Sequence, residues 1–144
     1  MRGRIRGHKQ TLVASAARNA SGDSGSLVLD LVPAAIKYFI NVTAASGTNP
    51  TLDMYIQTSF DGGSTWHDMV HASQFTGTSQ LAYDWANLSA IPQDIGGNFG
   101  GDAALSANQS NGGPLVPGAM RVKWVIAGTT PSFTFTVTAV MDTD

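Results

Sequence analysis

Between residues 120 and 141 the chain alternates. Val122, Trp124 and Ile126 fall on one side, and Arg121, Lys123 and Val125 on the other. Beyond Gly128-Thr129-Thr130-Pro131, the residues Phe133, Phe135, Val137, Ala139 and Met141 oppose Thr134, Thr136 and Thr138. A period of two sends successive side chains to opposite faces of a strand. Threonine on the outer face suits a pleated surface. The pattern recurs upstream. Ile36, Tyr38, Ile40 and Val42 alternate with Lys37, Asn41 and Thr43; Leu52, Met54 and Ile56 alternate with Asp53, Tyr55 and Gln57. Weaker strand signals cover residues 10–17, 26–32, where Leu27, Leu29 and Leu31 share a face, and 74–83. Residues 46–50 and 128–131 read as turns that separate strands. No stretch carries a convincing helical period.

Composition closes the helical route independently. Only 12% of the 144 residues are charged, and all ten acidic residues are Asp. Coiled coils and charged bundles draw on Glu, Lys and Arg. With 42% apolar residues the chain is not a disordered polar tail either. Its length fits one domain. About seven to nine short strands at this spacing predict an all-β, antiparallel β-sandwich, either jelly-roll or Ig-like. An extended basic arm over residues 1–18 precedes a single sandwich domain over 19–144. Within it, residues 84–119 read as one long loop rich in Gly, Asn, Ser and Ala. Loops of that length are usually functional or ordered by a partner.

Several function classes are excluded on physical grounds. There is no Cys, so no disulfide frame, thiol nucleophile or Cys-based zinc site is expected. No apolar run is long enough for a membrane-spanning helix. Residues 11–17 after the basic start are too short for the apolar part of a secretion signal. A net charge of −2 makes no global basic field for nucleic acid. His67 and His71 on a strand would lie about 13 Å apart, too far for one metal ion. They read as exposed polar strand positions. No Ser sits in a nucleophile elbow and no Asp pair forms a catalytic motif, so neither enzyme activity nor a cofactor is expected.

The sharpest local pattern is Ser59-Phe60-Asp61-Gly62-Gly63-Ser64-Thr65-Trp66. It resembles the Asp-box hairpin of sialidase-like propellers. Asp61 is placed to accept backbone N–H bonds across the turn, the glycines supply positive φ, and Trp66 covers the hairpin. Ser59, Asp61, Gly63, Thr65 and Trp66 are therefore read as structural. A propeller needs several copies of such a box, and this chain has one.

Contact residues for a partner are sought elsewhere. Arg2, Arg4, Arg6 and Lys9 make up half of all Lys and Arg. Four charges bind phosphate weakly, but an extended arm reaches roughly 30 Å, enough to latch onto a neighbouring subunit. Tyr83 and Trp85 flank the long loop and Phe99 lies within it. Aromatic residues are enriched at interfaces. A charge-poor body is difficult to keep dispersed alone, which points to a surface covered by neighbours.

Two blocks carry a wider resemblance. One is Tyr55-Ile56-Gln57-Thr58-Ser59-Phe60-Asp61-Gly62-Gly63-Ser64-Thr65-Trp66-His67-Asp68. The other runs from Met120-Arg121-Val122-Lys123-Trp124 to Phe133-Thr134-Phe135. The chain resembles small β-sandwich structural proteins of tailed bacteriophages, in which Gln-x-Ser-x-Asp-Gly-x-x-Trp is followed, after a loop, by Arg-x-Lys-Trp; here three residues, Gly63, Ser64 and Thr65, separate Asp61-Gly62 from Trp66. The resemblance implies a non-enzymatic virion subunit. A capsid decoration (cement) protein is the first expectation, made in the host cytoplasm and placed on the capsid exterior. It would bind the major capsid protein and neighbouring copies of itself, with a trimer as the family's expectation. A tail or head–tail joining component is the alternative within the virion. A carbohydrate-binding β-sandwich module, using Tyr83 and Trp85, is the alternative outside it.

Overall fold

The computed structural model describes residues 5–86, 101–110 and 119–143. Seven strands lie among them: β1 (His8–Arg18), β2 (Gly22–Asp23), β3 (Ala35–Thr58), β4 (His67–His71), β5 (Ser79–Ala86), β6 (Gln109–Ser110) and β7 (Met120–Asp142). All pairings are antiparallel, and no helix occurs among the described residues. The all-β expectation holds at that level.

Two long strands organise everything else. β3 and β7 pair from Ala35–Asp142 at one end to Thr58–Met120 at the other. One half of this ribbon, residues 35–45 with 133–142, has β5 beside β3 and β1 beside β7. The other half, residues 51–58 with 120–127, has β4 beside β3, β6 beyond β4, and β2 beside β7. Between the halves, around the Thr48–Thr129 pair, the two strands pair with no other strand among the described residues.

The segments 46–50 and 128–131 are thus not turns between separate strands. They are irregular midpoints of continuous strands, where the register shifts. Gly47 and Gly128 take φ of 109° and 122°, which lets both strands twist without breaking the ladder. A ribbon of two strands twists more than a wide sheet does.

The alternating residues meet in one core. Ile36, Tyr38, Ile40 and Val42 join Leu52, Met54 and Ile56 from β3. Met120, Val122 and Trp124 join Phe133, Phe135, Val137, Ala139 and Met141 from β7. The β7 stripe runs on even numbers before the irregularity and on odd numbers after it, so the bulge keeps both stretches facing inward. Leu12 and Val13 of β1, with Met69, Val70, Ala72 and Phe75, complete the cluster.

Three further expectations change. The arm expected over 1–18 is, from His8 onward, the edge strand β1, because Leu12 and Val13 belong to the core. Residues 26–32 form no strand, although Leu27, Leu29 and Leu31 do pack on the core and Val28 and Val32 face outward. Only Leu27 bridges to β7, at Met120. Further along, the Gln10 side chain takes the place of a ladder partner: its Nε2 donates to the Val28 carbonyl at 2.9 Å and its Oε1 accepts from Asp30 N–H at 2.8 Å. Finally, the loop expected over 84–119 begins inside β5 and contains β6, which pairs with β4 through Val70–Ser110 and His71–Gln109.

Candidate functional site

The second half of the ribbon is covered on both faces. Residues 54–59 are all buried, although Gln57, Thr58 and Ser59 are polar. One face is the core. The other is polar, and residues 101–110 lie across it as a strap.

The strap is held by a carboxylate. Asp68 is fully buried. Its Oδ1 accepts from Ala103 N–H at 3.0 Å, and its Oδ2 accepts from Ala104 and Leu105 N–H at 2.7 and 2.8 Å. A buried charge needs such donors to offset its lost hydration. Ala103 adopts φ of 54°, a left-handed turn unusual for a residue with a side chain.

Gln57 ties this anchor to the next strand. Its Nε2 donates to Asp68 Oδ1 and to Asp102 Oδ1, both at 2.7 Å, while its Oε1 accepts from Arg121 Nε at 2.7 Å. Arg121 also meets Asp102 at 3.1 Å and Asp23 at 3.6 Å. Its guanidinium lies 4.5 Å from the Trp66 ring centroid. Lys123 Nζ reaches Asp102 at 2.7 Å. Partial burial works against ionising Asp102, but the Lys123 and Gln57 hydrogen bonds and the Lys123 and Arg121 charges outweigh it and hold its carboxyl below the usual range.

The strap's far side rests on His71 and Tyr83. The His71 ring stacks on Tyr55 at 4.0 Å and has one nitrogen at 2.7 Å from the Leu105 carbonyl oxygen and the other at 3.2 Å from Asp53 Oδ1. Tyr83 donates its hydroxyl to Asn108 Oδ1 and accepts from Ser73 N–H. Burial raises the Tyr55 phenol, and the Asp53, Asp68 and Asp102 charges add to it.

His67 and His71 do not share a face. The pairs Ile56–Val70 and Gln57–Asp68 leave Met69 as an extra residue in β4. This bulge puts Asp68 and His71 together on the polar face and turns Met69 into the core. His71 is consequently buried rather than exposed. Among the described residues no group of three or more His, Cys, Asp or Glu side chains is gathered around a point where a metal ion could sit.

The Asp-box segment is the loop between β3 and β4. Asp61 Oδ1 accepts from Ser59 Oγ, Ser64 N–H and Thr65 N–H, and its Oδ2 accepts from Thr65 Oγ1 at 2.6 Å. Gly63 N–H donates to Ser59 Oγ at 2.8 Å. Gly62 and Gly63 both have positive φ. The two Thr65 hydrogen bonds, with that from Ser59, hold the Asp61 carboxyl down to about 2. Trp66 does more than cover the hairpin, since its ring lies against Arg121.

The residues singled out for partner contact do not converge. Arg2, Arg4 and Phe99 lie outside the described residues. Arg6 and Lys9 are exposed near the β1 edge. Tyr83 and the backbone of Trp85 belong to β5, which flanks β3 on the opposite side of that half from β1. The sequence reading missed the network of Gln57, Asp68, His71, Asp102 and Arg121. A signal was present: in a chain with so few charges, the outward positions of three strands carry Asp53, Asp68, Arg121 and Lys123.

No protein-family model matches the chain, and a search of the curated proteins found no match. What the site can do therefore rests on its geometry. Asp68 and His71 are committed to the strap, and Arg121 and Lys123 to Asp102 and its neighbours. The polar face is built to fasten a loop across a sheet.

Proposed function

We propose that this chain is a non-enzymatic structural protein of a phage particle, a capsid decoration (cement) protein that binds the outside of the major capsid protein lattice. The observation that carries the reading is where the two resembling blocks lie. Residues 55–68 and 120–135 are neighbours in the sheet, and Gln57 accepts from Arg121 while Arg121 lies over Trp66. The residues of both partial motifs thus make one structural unit. That unit supports the strap, which belongs to the long segment assigned to partner contact.

A sandwich is the finer fold proposed with it. Support comes from the single core cluster, which draws side chains from both halves of the β3–β7 ribbon. A ribbon that twists at Thr48 and Thr129 could fold one half over the other. The choice between jelly-roll and Ig-like order stays with this proposal. On such a lattice, weak contacts repeated in many copies add through avidity. The major capsid protein and neighbouring copies of this chain, in a trimer, are the partners proposed. Virion exterior is the location proposed.

The test is biochemical. The protein should co-purify with capsids at a fixed ratio to the major capsid protein and rebind shells stripped of it. Removing residues 1–6, which leaves β1 whole, should weaken rebinding. Recovery on isolated tails would move the assignment to a tail or head–tail joining component. Specific glycan binding that is lost with Trp85→Ala would replace it by a carbohydrate-binding module.

A further inference from the structure

The His71 ring lies between two oxygens that can only accept hydrogen bonds. Nδ1 is 2.7 Å from the Leu105 carbonyl of the strap, and Nε2 is 3.2 Å from Asp53 Oδ1 of β3. Asp53 is itself fixed, because its Oδ2 accepts from Gln74 at 2.9 Å. A neutral imidazole has one N–H, and only the imidazolium has two. Both contacts are hydrogen bonds only when the ring carries two protons. In the neutral form one nitrogen lone pair would point at an oxygen lone pair across a part-buried gap, and one of the two hydrogen bonds would be lost.

Charged and aromatic groups face the ring from every element packed against it. From β3, the Asp53 carboxylate faces the ring and the Tyr55 ring stacks on it. From β4 itself, Asp68 lies on the same face, whereas His67 lies beyond the Met69 bulge. From the strap, Asp102 adds a carboxylate. From β7, Lys123 and Arg121 bring positive charge, but Lys123 is bound to Asp102, and Arg121 to Gln57, Asp102 and Asp23.

The geometry points to His71 as a proton-operated latch on the strap 101–110. Doubly protonated, it ties Leu105 to Asp53. Losing a proton removes one of the two bonds. The strap closes with proton uptake and loosens as pH rises through the titration of this ring. Asp68 holds the strap's first turn, the Leu105 N–H included, at either pH, so the loosening is centred on residues 106–110. The inference concerns the isolated protein and does not depend on the virion reading.

Nitrogen-resolved NMR of the full chain tests it. At about pH 5, both ring nitrogens of His71 should carry protons, and the resonance should titrate as pH rises. Over the same step, amide protection at residues 106–110, corrected for intrinsic exchange, should fall about tenfold, the scale of one lost hydrogen bond. His71→Gln should abolish that step. A ring that stays neutral from about pH 5 to 8, or protection that does not follow it, overturns the latch. If the Gln variant fails to fold, the wild-type titration alone decides.

Discussion

Gly47 and Gly128 sit across the β3–β7 ribbon where each strand's backbone closes on the other. A Cβ on Gly47 would lie 2.7 Å from the Thr130 carbonyl oxygen, and one on Gly128 would lie 2.8 Å from that of Asn49. Each glycine opens a Gly-Thr-x-Pro tetrapeptide, 47–50 and 128–131. The third residues, Asn49 and Thr130, match as well, with φ of 48° and 51°. Two copies of one turn signal face each other in antiparallel register and make a twist instead of two turns.

Gly47→Ala and Gly128→Ala should therefore each cost about 1–3 kcal/mol, from backbone strain and from contact with a carbonyl that cannot move away. Gly77→Ala is the control. A Cβ there meets nothing within 4 Å, and the effect should stay within about 0.5 kcal/mol. Urea unfolding midpoints measure all three. A Gly47→Ala protein as stable as wild type would refute the close crossing.

Asp68→Asn should detach the strap. The amide keeps one acceptor oxygen but turns an NH2 group toward backbone N–H donors that Asp68 now satisfies. Leaving such donors unpaired in a buried site costs about 1–3 kcal/mol. Hydrogen exchange should show the amides of Ala103, Ala104 and Leu105 losing protection while core amides of β3 and β7 keep theirs. Uniform loss across the chain would mean that the strap and core are one cooperative unit.

Tyr38→Phe should be neutral or stabilising by up to about 1 kcal/mol. The Tyr38 hydroxyl is buried in the core with no hydrogen-bond partner among the described residues, and burial pushes its phenol well above the ordinary range. Removing an unsatisfied hydroxyl removes a desolvation penalty and leaves the ring's packing intact. A clear loss in thermal midpoint would reveal a polar contact for that oxygen.

The Asp61 hairpin should respond to acid in a defined window. Its carboxyl is held at about 2, against an ordinary 3.8, by Thr65 first and then by Ser59 and Ser64. A lowered value in the folded state means that its contribution is complete above the unfolded value and is lost as pH falls from about 4 toward 2. Amide shifts of Ser64 and Thr65 should follow that step, and Asp61→Asn should erase it. Shifts moving at an ordinary carboxylate pH would show the carboxyl to be free in solution.

Arg121→Lys should not be conservative. Lysine keeps the charge for Asp102 but loses the Nε–H bond to Gln57 and the planar contact with Trp66. The expected loss is about 1–2 kcal/mol, read from urea midpoints at low and high salt. A loss that disappears at high salt would reduce Arg121 to an exposed ion pair.

Much of the architecture was legible because it depends on period. Ile36 to Val42, Leu52 to Ile56 and Phe133 to Met141 alternate so regularly that one face of each had to be buried, and an antiparallel all-β class follows. The Asp-box hairpin was legible for a similar reason: Ser59, Asp61, Gly63 and Thr65 close their hydrogen bonds within a few residues. What lay beyond local pattern was misread wherever the ladder partner was distant. Residues 26–32 alternate like a strand, yet Gln10 replaces most of their ladder. The polar stripe of Asp53, Tyr55 and Gln57 reads as solvent-facing, yet the strap covers it.

The sequence by itself determined which side chains turn inward, since side-chain period is a property of the local backbone. It also determined that no helix would compete, because the chain lacks both helical spacing and the charged residues that support it. Only the tertiary structure decided what lies on the other face. A polar stripe is equally compatible with water and with a buried network. The choice falls to burial when distant segments bring matching donors and acceptors: the N–H groups of Ala103, Ala104 and Leu105 to Asp68, Arg121 to Gln57, and the Leu105 carbonyl to the His71 ring. None of these partners is near the other in the chain, and their pairing exists only once the β3–β7 ribbon has brought them together.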